Sequence, residues 1–248
     1  MNYAYLSDRG SKRANNQDFV GIFKNKKGAV LSIVADGVGG HRGGDVASEM
    51  AVSHIGVLFE ESTVSSTKNG VNWLRRQISA ENTKILAAAK QFQDLNGMGT
   101  TIVVALFVDH QVIITNLGDS RCYLYSADGN LQQLSTDHSL VNELVEKGEI
   151  TNEEAKFHPQ KNYITRSLGV DDNVQIDTKE LVIHVDDQYL LCTDGLTNQV
   201  SNDAISIILQ STVSLEEKCN QLIEMANNAG GPDNITALIV KIDQEESK

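Results

Sequence analysis

The sequence lacks the features of secreted and disulfide-bonded proteins. It contains only three cysteines, Cys122, Cys192 and Cys219, and no C-x-x-C pair. An odd number of cysteines, all within apolar runs, favours reduced core thiols over a redox or zinc role. The N-terminus has neither a basic region nor the apolar core of a signal peptide. We therefore predict a cytoplasmic protein.

Long apolar runs and an excess of positive charge are missing as well. No run approaches the ~18–20 apolar residues of a membrane span, so we predict a protein that is not embedded in a membrane. The chain has 21 Lys and Arg residues against 33 Asp and Glu residues, a net charge of −12. Because nucleic-acid binding depends on positive charge that neutralises phosphates, this balance argues against DNA or RNA as a partner.

The chain does contain enough apolar sequence for one large domain. It has 248 residues, of which 40% are hydrophobic. A chain of this length buries roughly 70–75% of the surface that it exposes when unfolded, which provides a sizeable core. No linker or internal repeat is visible. We predict a single domain over residues 1–243, followed by a disordered polar tail at 244–248.

Hydrophobic periodicity predicts both strands and helices. Short apolar runs predict strands at residues 3–6, 19–23, 29–35, 100–108, 112–117, 122–125, 131–134, 174–182, 189–193 and 235–242. Helical spacing predicts helices at 46–58, 71–92, 203–210 and from 214 onward, with Leu58 on the inner face of the first. The strands between 100 and 134 form a predicted meander of neighbours, which favours antiparallel pairing. We predict an α+β fold with sheet packed on sheet and helices outside.

The segment 139–157 differs from its surroundings. It is charged and only weakly apolar, and Thr151 and Glu154 have the spacing of a capping box at a helix start. We predict two short helices in an excursion from the sheet.

Four aspartates share one sequence context. Asp36, Asp119 and Asp194 each end an apolar run, and Asp233 precedes one. Two like charges ~4 Å apart repel by ~4 kcal/mol at an effective dielectric constant of ~20, so carboxylates that meet at one rim must be partly protonated or hold a cation. Oxygen ligands favour a hard ion such as Mg²⁺ or Mn²⁺. The alternative is that each Asp-Gly pair is only a turn.

Asp36 opens a glycine-rich loop in which Gly37 is followed by further glycines that let the backbone approach a ligand closely. The loop fails both common phosphate-loop motifs, because Arg42 replaces the third glycine of G-x-G-x-x-G and no G-K-[ST] follows. We predict that Asp36 and Gly37 hold a divalent metal. His41 lies in the same loop, whereas the histidines as a set show no H-E-x-x-H zinc spacing.

Arg13 lies five residues before Asp18. By itself it is an ordinary surface arginine. Beside a metal cluster it becomes a candidate anion clamp, since a guanidinium binds phosphate oxygens in bidentate fashion.

Seven short motifs, taken together, are more specific than any single residue above. The chain carries RANNQD at 13–18, ADGVGGH at 35–41, GMGTT at 97–101, GDSR at 118–121, TRSLG at 165–169, TDGL at 193–196 and DN at 233–234. In this order they resemble the metal-dependent (type 2C) protein phosphatases, and most closely the bacterial branch that opposes Hanks-type serine/threonine kinases. The resemblance spans essentially the whole chain.

This resemblance implies an αββα sandwich, two packed antiparallel sheets flanked by helices on both sides, with a centre of two or three Mn²⁺ or Mg²⁺ ions at one end. By the family pattern, Asp36 bridges two metals and Gly37 offers its carbonyl oxygen. Asp194 and Asp233 complete one metal, and Asp18 supports the second through water.

The family pattern also assigns the remaining parts of the site. Asp119, with Asp194, matches a third-metal position of bacterial members, and Arg13 matches the phosphate-binding arginine. The excursion, extended to about 139–165, matches a small helical flap beside the site. Two metals would activate a water that attacks the phosphoryl group without a protein nucleophile.

One position departs from the family pattern. Val38 stands where relatives carry methionine or a histidine proposed as the general acid, and valine cannot donate a proton. Metal-bound water or another group must then protonate the leaving serine oxygen. His41 is the candidate, and the alternative is that it only structures its loop.

Three hypotheses follow from these residues. The first is an active phosphoserine/phosphothreonine phosphatase, monomeric and cytoplasmic, whose partners are phosphorylated proteins and a cognate serine/threonine kinase. The second is a non-catalytic relative that serves as a regulatory binding module, but no aspartate of the metal set is missing. The third is another two-metal phosphohydrolase such as a nuclease, against which the acidic charge argues.

Overall fold

The computed structural model describes residues 1–38 and 43–243. Within these ranges the strands are β1 Asn2–Asp8, β2 Asp18–Lys24, β3 Val30–Val38, β4 Gly99–Thr100, β5 Ile102–Val108, β6 Gln111–Leu117, β7 Arg121–Tyr125, β8 Leu131–Gln133, β9 Asp177–Val182, β10 Gln188–Cys192 and β11 Ile235–Lys241. The helices are α1 Gly44–Glu60, α2 Thr67–Gln91, α3 Leu140–Glu146, α4 Asn152–Phe157, α5 Asp194–Thr197, α6 Asn202–Gln210 and α7 Leu215–Asn228. His41 and the predicted tail 244–248 lie outside the described residues.

The strands form two antiparallel sheets. Sheet A has the order β1-β11-β10-β7-β8, and sheet B has the order β2-β3-β5-β6-β9 with β4 paired to β3. Helices α1 and α2 pack on the outer face of sheet B, whereas α5, α6 and α7 cover sheet A. The predicted α+β sandwich, with sheet on sheet and helices outside, is therefore confirmed.

The inner faces of the two sheets form a continuous apolar layer. Val34 and Val103 of sheet B face Leu191 and Leu238 of sheet A. The rings of Phe107 and Tyr189 meet edge to face across this layer with centroids 5.2 Å apart. Since β3 is buried on both faces, its sequence is a continuous apolar run rather than an alternation.

The outer face of sheet B is covered by α1, whose buried side chains include Ala51, Ile55 and Phe59. These three follow one another at intervals of four, which places them on one helix face. Leu58 is 43% exposed, so its predicted inward position is wrong. The larger phenyl ring of Phe59 fills the place against the sheet and against Trp73 of α2.

The chain between β6 and β7 changes sheets. β6 ends sheet B at Leu117, and β7 begins in sheet A at Arg121. The predicted meander between residues 100 and 134 is therefore wrong as one sheet, because it divides into β5–β6 and β7–β8. The crossing carries Asp119 to the rim where the two sheets meet.

The predicted excursion contains two short helices, α3 and α4. Ser139 caps α3, and Thr151 with Glu154 forms a capping box on α4, as the spacing predicted. None of the helices in the described ranges, α2 included, has both the length and the apolar character that a bilayer crossing requires. That residues 1–243 form a single domain remains a prediction.

Loss of the Leu238 side chain should weaken the layer between the sheets that aligns the strand ends. Leu238→Ala leaves a cavity at a site with 0% exposure, and we expect a loss of about 2–5 kcal/mol in the free energy of unfolding. Leu58→Ala is the matched control, because the same atoms are removed from a half-exposed position, and it should cost about 1 kcal/mol or less. Urea unfolding followed by circular dichroism measures both. Equal losses in the two variants would contradict the assigned core.

Candidate metal centre

The neighbouring strands β2 and β3 place two aspartates opposite each other at one end of sheet B. Asp18 is the first residue of β2 and is paired in register with Asp36 of β3. The strand β3 does not end at Asp36 but continues through Gly37 and Val38, which pair with β4. The strand therefore ends three residues later than the predicted end at residue 35.

Sheet A supplies two more aspartates from its adjacent central strands. Asp194 follows β10 as the first residue of α5, and Asp233 lies two residues before β11. A Cβ atom on Gly195 would lie 1.9 Å from the carbonyl oxygen of Asn234, so only glycine permits this approach. The two chain segments that carry Asp194 and Asp233 are thereby held against each other.

Asp119 completes the group from the crossing between the sheets. Its side chain is 7% exposed, and its Oδ1 atom has no hydrogen-bond partner. The guanidinium of Arg121 lies near enough to oppose the rise in its pKa, but Asp137 binds that guanidinium through contacts of 2.6 to 3.0 Å. Asp119 is thus a buried carboxylate without a direct countercharge.

These aspartates act on one another electrostatically. Burial raises the pKa of Asp36 well above its usual value, and the charges of the other four aspartates raise it further. Burial is also the main cause of the raised pKa of Asp119 and Asp194. Burial raises the pKa of Asp18 to about 7. The five side chains therefore form one cluster in which full ionisation is unfavourable without a cation.

Hydroxyl groups hold Asp18, which is only 6% exposed. Its Oδ2 atom accepts hydrogen bonds from Thr193 Oγ1 at 2.9 Å and from Thr236 Oγ1 at 2.6 Å. Its Oδ1 atom has no partner. Thr193 opens the TDGL motif, but neither threonine was predicted to contact Asp18, although each lies close in sequence to an aspartate of the cluster.

The backbone around Asp36 is fixed by β4 and β5. Thr101 Oγ1 accepts a hydrogen bond from the amide of Asp36 at 3.0 Å, and Thr100 Oγ1 donates to its carbonyl oxygen at 2.9 Å. A Cβ atom on Gly37 would lie 2.2 Å from the carbonyl oxygen of Gly44. These contacts explain why glycine follows Asp36 and why the aspartate backbone cannot move independently of the sheet.

Arg13 lies at the edge of the cluster. Its Nη2 atom donates to Asp233 Oδ2 at 2.8 Å, and its side chain is 48% exposed. The loop that contains Arg13 is held by Asn234, whose side-chain amide donates to the carbonyl oxygens of Arg9 and Asn15 at 2.8 Å. The guanidinium is therefore positioned next to the carboxylates while part of it faces solvent.

The donor set fits a hard divalent cation in its chemistry. All donors are oxygens, and two buried carboxylate oxygens, on Asp18 and Asp119, have no partner. Among the described residues, no group of three or more acidic, histidine or cysteine side chains is arranged to hold a metal ion. The oxygen atoms of the cluster therefore do not surround a single point. Arg13 binds Asp233, and Asp36 shares a hydrogen bond with Asp194. A bound ion would therefore compete with Arg13 for Asp233.

A cleft of about 840 Å³ adjoins the cluster. Asp119 and Asp194 line one part of it, and the helices α3 and α4 line another. His138 connects the start of α3 with the segment that carries Asp119. Its backbone amide donates to the carbonyl oxygen of Gly118, and its Nδ1 atom accepts from the Gly118 amide. A second cleft of about 880 Å³ lies at the opposite end of sheet A beside Lys218 and contains none of the five aspartates.

The structure thus brings together most of the residues singled out in the sequence. Asp36 lies among the charges of Asp18, Asp119, Asp194 and Asp233, and Arg13 contacts the last of these. Gly37 adjoins the cluster in β3. His41 falls outside the described residues, so its predicted role stays a prediction.

Comparison with known proteins gives consistent matches along the chain. The family model described as Protein phosphatase 2C matches residues 8–236. The serine/threonine phosphatase stp of Listeria welshimeri is 47% identical over 242 residues, which cover 97% of this chain and 96% of that protein.

Solved structures agree with these matches. The serine/threonine phosphatase of S. agalactiae has a TM-score of 0.93 and 42% identity, with coverage of 98% of this chain and 99% of that one. The catalytic domain of the serine/threonine protein phosphatase PstP, solved in complex with two manganese ions, has a TM-score of 0.85 and 35% identity, with 98% of each chain covered.

These matches confirm the family predicted from the ordered motifs. They extend over both sheets, the flap helices and every strand end that carries an aspartate of the cluster. The chain belongs to the protein phosphatase 2C family.

Proposed function

We propose that this protein hydrolyses phosphoserine and phosphothreonine in proteins, using two or three Mn²⁺ or Mg²⁺ ions. The observation that carries the proposal is the meeting of five aspartates from separate parts of the chain beside Arg13 and an open cleft. The phosphatase names of close relatives and the manganese in the PstP structure support it.

The aspartates are the proposed ligands. Asp36 would bridge two ions, Gly37 would add its carbonyl oxygen, and Asp194 with Asp233 would complete one ion. Asp18 would support the second through water, and Asp119 with Asp194 would hold a third. When bound, such ions supply a water of lowered pKa for attack on phosphorus and offset the phosphoryl charge. The unpartnered oxygens of Asp18 and Asp119 are consistent with these roles.

Arg13 is the proposed ligand of the phosphoryl group. Its guanidinium offers several donors in one plane, which match phosphate oxygens in bidentate fashion. Its half-exposed position beside Asp233 supports this role, since a substrate phosphate can reach it from solvent. Charge that develops on the phosphoryl oxygens during displacement would then be stabilised by this cation.

The leaving serine or threonine oxygen also needs a proton. Val38 has no proton to donate. It pairs with Gly99 between β3 and β4, and its side chain packs beside that glycine. We retain His41 as the candidate donor from its place in the glycine-rich loop. Substrate peptides would lie in the cleft between the cluster and α3–α4.

We also propose an opposing kinase, a location and an oligomeric state for this enzyme. A serine/threonine kinase must make the phosphoproteins that this enzyme consumes, so the pair would act as opposing steps in signalling. The three cysteines are free and buried, which supports the predicted cytoplasmic location. We propose that the protein acts as a monomer.

Replacement of Asp36 should abolish metal-dependent turnover. Asp36→Asn keeps the shape of the side chain but removes the charge that would bridge two ions, and we expect a loss of at least about 100-fold in kcat/KM. Hydrolysis of an aryl phosphate and of a phosphothreonine peptide, with Mn²⁺ or with a chelator, measures this. Asp128→Asn is the control, because it changes the same type of Asp-Gly pair in an exposed turn.

Two results would contradict this assignment. One is wild-type hydrolysis that persists in excess chelator, and the other is an Asp36→Asn enzyme as active as the Asp128→Asn control. Cleavage of nucleic acid with no action on the phosphopeptide would instead support the nuclease hypothesis. Mn²⁺ binding without any turnover would support a regulatory module.

Replacement of Arg13 should separate phosphate binding from metal binding. Arg13→Ala removes a charged hydrogen-bond donor worth about 1.5–3 kcal/mol, so kcat/KM for the phosphopeptide should fall about 10–100-fold. The Mn²⁺ concentration for half-maximal activity should stay equal or fall, because Asp233 loses a competing cation. Arg9→Ala removes a neighbouring exposed arginine as the control. Two results would contradict this prediction. One is a lower half-maximal Mn²⁺ concentration for Arg9→Ala, and the other is a higher half-maximal Mn²⁺ concentration for Arg13→Ala.

Metal should stabilise the protein more at alkaline than at acidic pH. Because the pKa of Asp18 is raised from 3.8 to about 7, the folded state retains a proton that the unfolded state has lost between these values. In chelator, stability should therefore fall as pH rises through this window, by the linkage between proton binding and folding. Mn²⁺ competes with these protons, so its stabilisation should increase between about pH 5.5 and about pH 8. Calorimetric melting with Mn²⁺ or EDTA measures this, and Asp18→Asn should flatten the dependence.

A further inference from the structure

Four hydroxyl and amide groups form a chain of hydrogen bonds that ends on Asp18. Asn16 Nδ2 donates to Ser7 Oγ at 2.8 Å, and Ser7 Oγ lies 2.8 Å from Thr236 Oγ1. Thr236 Oγ1 lies 2.6 Å from Asp18 Oδ2. Thr193 Oγ1 reaches the same carboxylate oxygen at 2.9 Å and accepts from the amide of Thr236 at 3.0 Å.

The direction of each bond in this chain follows from the available protons. An amide nitrogen can only donate, so Ser7 accepts from Asn16. Thr236 donates its single hydroxyl proton to Asp18, so it must accept the hydrogen bond from Ser7. Thr193 already accepts from a backbone amide, which directs its hydroxyl proton to Asp18 as well. Both threonines therefore donate to Asp18 at Oδ2.

The network leaves the second oxygen of Asp18 without a partner. Oδ1 is buried and accepts no hydrogen bond, although the carboxylate is enclosed on its other side by two donors. A buried oxygen of this kind costs free energy unless it meets a ligand. The two hydroxyl groups thus determine that Oδ1, and not Oδ2, is the oxygen of Asp18 that can accept a ligand.

The network also connects the strands that carry the rest of the cluster. Thr193 directly precedes Asp194, and Thr236 lies on β11 three residues after Asp233. Ser7 belongs to the edge strand β1 and faces Thr236 in register. Through this network Asp18 of sheet B is tied to β11 and, by way of Ser7, to β1, and also to the residue that follows β10.

We propose that Thr193 and Thr236 are positioning residues that hold Asp18 as an acceptor at Oδ2 and present Oδ1 to a divalent cation or its water. Neither threonine would touch the ion or the substrate. Their contribution is to the affinity for the metal, because an outer partner of a ligand fixes its orientation and charge. This inference rests on the proposed metal-dependent phosphatase function.

Isosteric replacement tests the role. Thr236→Val and Thr193→Val each keep the side-chain volume and remove one donor to Asp18. We expect Mn²⁺ affinity, measured by titration calorimetry, to fall about 10–100-fold in each variant. Thr236→Ser keeps the hydroxyl and should restore affinity to near the wild-type value.

A matched control separates this effect from a general loss of stability. Thr115 is equally buried in the middle of β6, where its hydroxyl lies 3.4 Å from that of Thr178 on β9. Thr115→Val also exchanges a buried hydroxyl for a methyl group, and it should leave Mn²⁺ affinity unchanged. Melting in chelator reports the stability of all variants.

A kinetic measurement separates metal affinity from chemistry. In Thr236→Val the Mn²⁺ concentration for half-maximal phosphopeptide hydrolysis should rise in parallel with the calorimetric dissociation constant. At saturating Mn²⁺ the kcat should return to near that of the wild type. A simple defect in folding would lower kcat at every metal concentration.

The outcomes that overturn the inference are distinct from those that overturn the proposed function. Wild-type affinity in both valine variants, or an equal loss in Thr115→Val, would exclude a positioning role while the phosphatase function stands. No rescue by Thr236→Ser would exclude the hydroxyl group as its cause. Absence of both Mn²⁺ binding and turnover in the wild type would overturn the function and the inference together.

Discussion

Repulsion among clustered, partly buried carboxylates is the constraint on which this structure depends. Five aspartates gather at one end of a sandwich, where burial and mutual charge raise the pKa of most of them. A fold cannot hold such a group by packing alone, because each charge taken from water carries a large free-energy cost. The surrounding framework is accordingly dense in hydroxyl and backbone contacts. The apolar layer between the sheets supplies the rigidity that keeps the strand ends together.

The two sheets contribute to the cluster in different ways. Sheet B presents Asp18 and Asp36 as register partners on adjacent strands, so their separation is set by the strand spacing. Sheet A presents Asp194 and Asp233 in the segments just outside its strands. The crossing that carries Asp119 is bonded to the base of the flap through His138. The base of the flap is thus hydrogen-bonded to the chain segment that carries a carboxylate of the cluster.

Much of this could be predicted from the sequence, because strand ends and aspartates are local features. The apolar runs located every major strand, and the ordered motifs located the cluster. The separation of β6 and β7 into different sheets could not be predicted, since adjacency in sequence favours pairing and only the packing of both sheets decides otherwise. The contact between Asp18 and Thr236 is equally invisible, because it joins residues 218 positions apart. Leu58 was predicted to face inward because it fits a helical period, but Phe59 fits the period as well and is the residue that packs against Trp73.

The close contact at Gly195 has a consequence for how this protein tolerates sequence change. A single added carbon there would overlap the backbone at Asn234 and separate the segments that carry two aspartates. The residue itself has no side chain, no charge and no part in chemistry. A saturation screen for loss of function would nevertheless rank it beside the aspartates, as it would Gly37. The sequence constraint on this site therefore includes positions where any side chain would overlap the backbone.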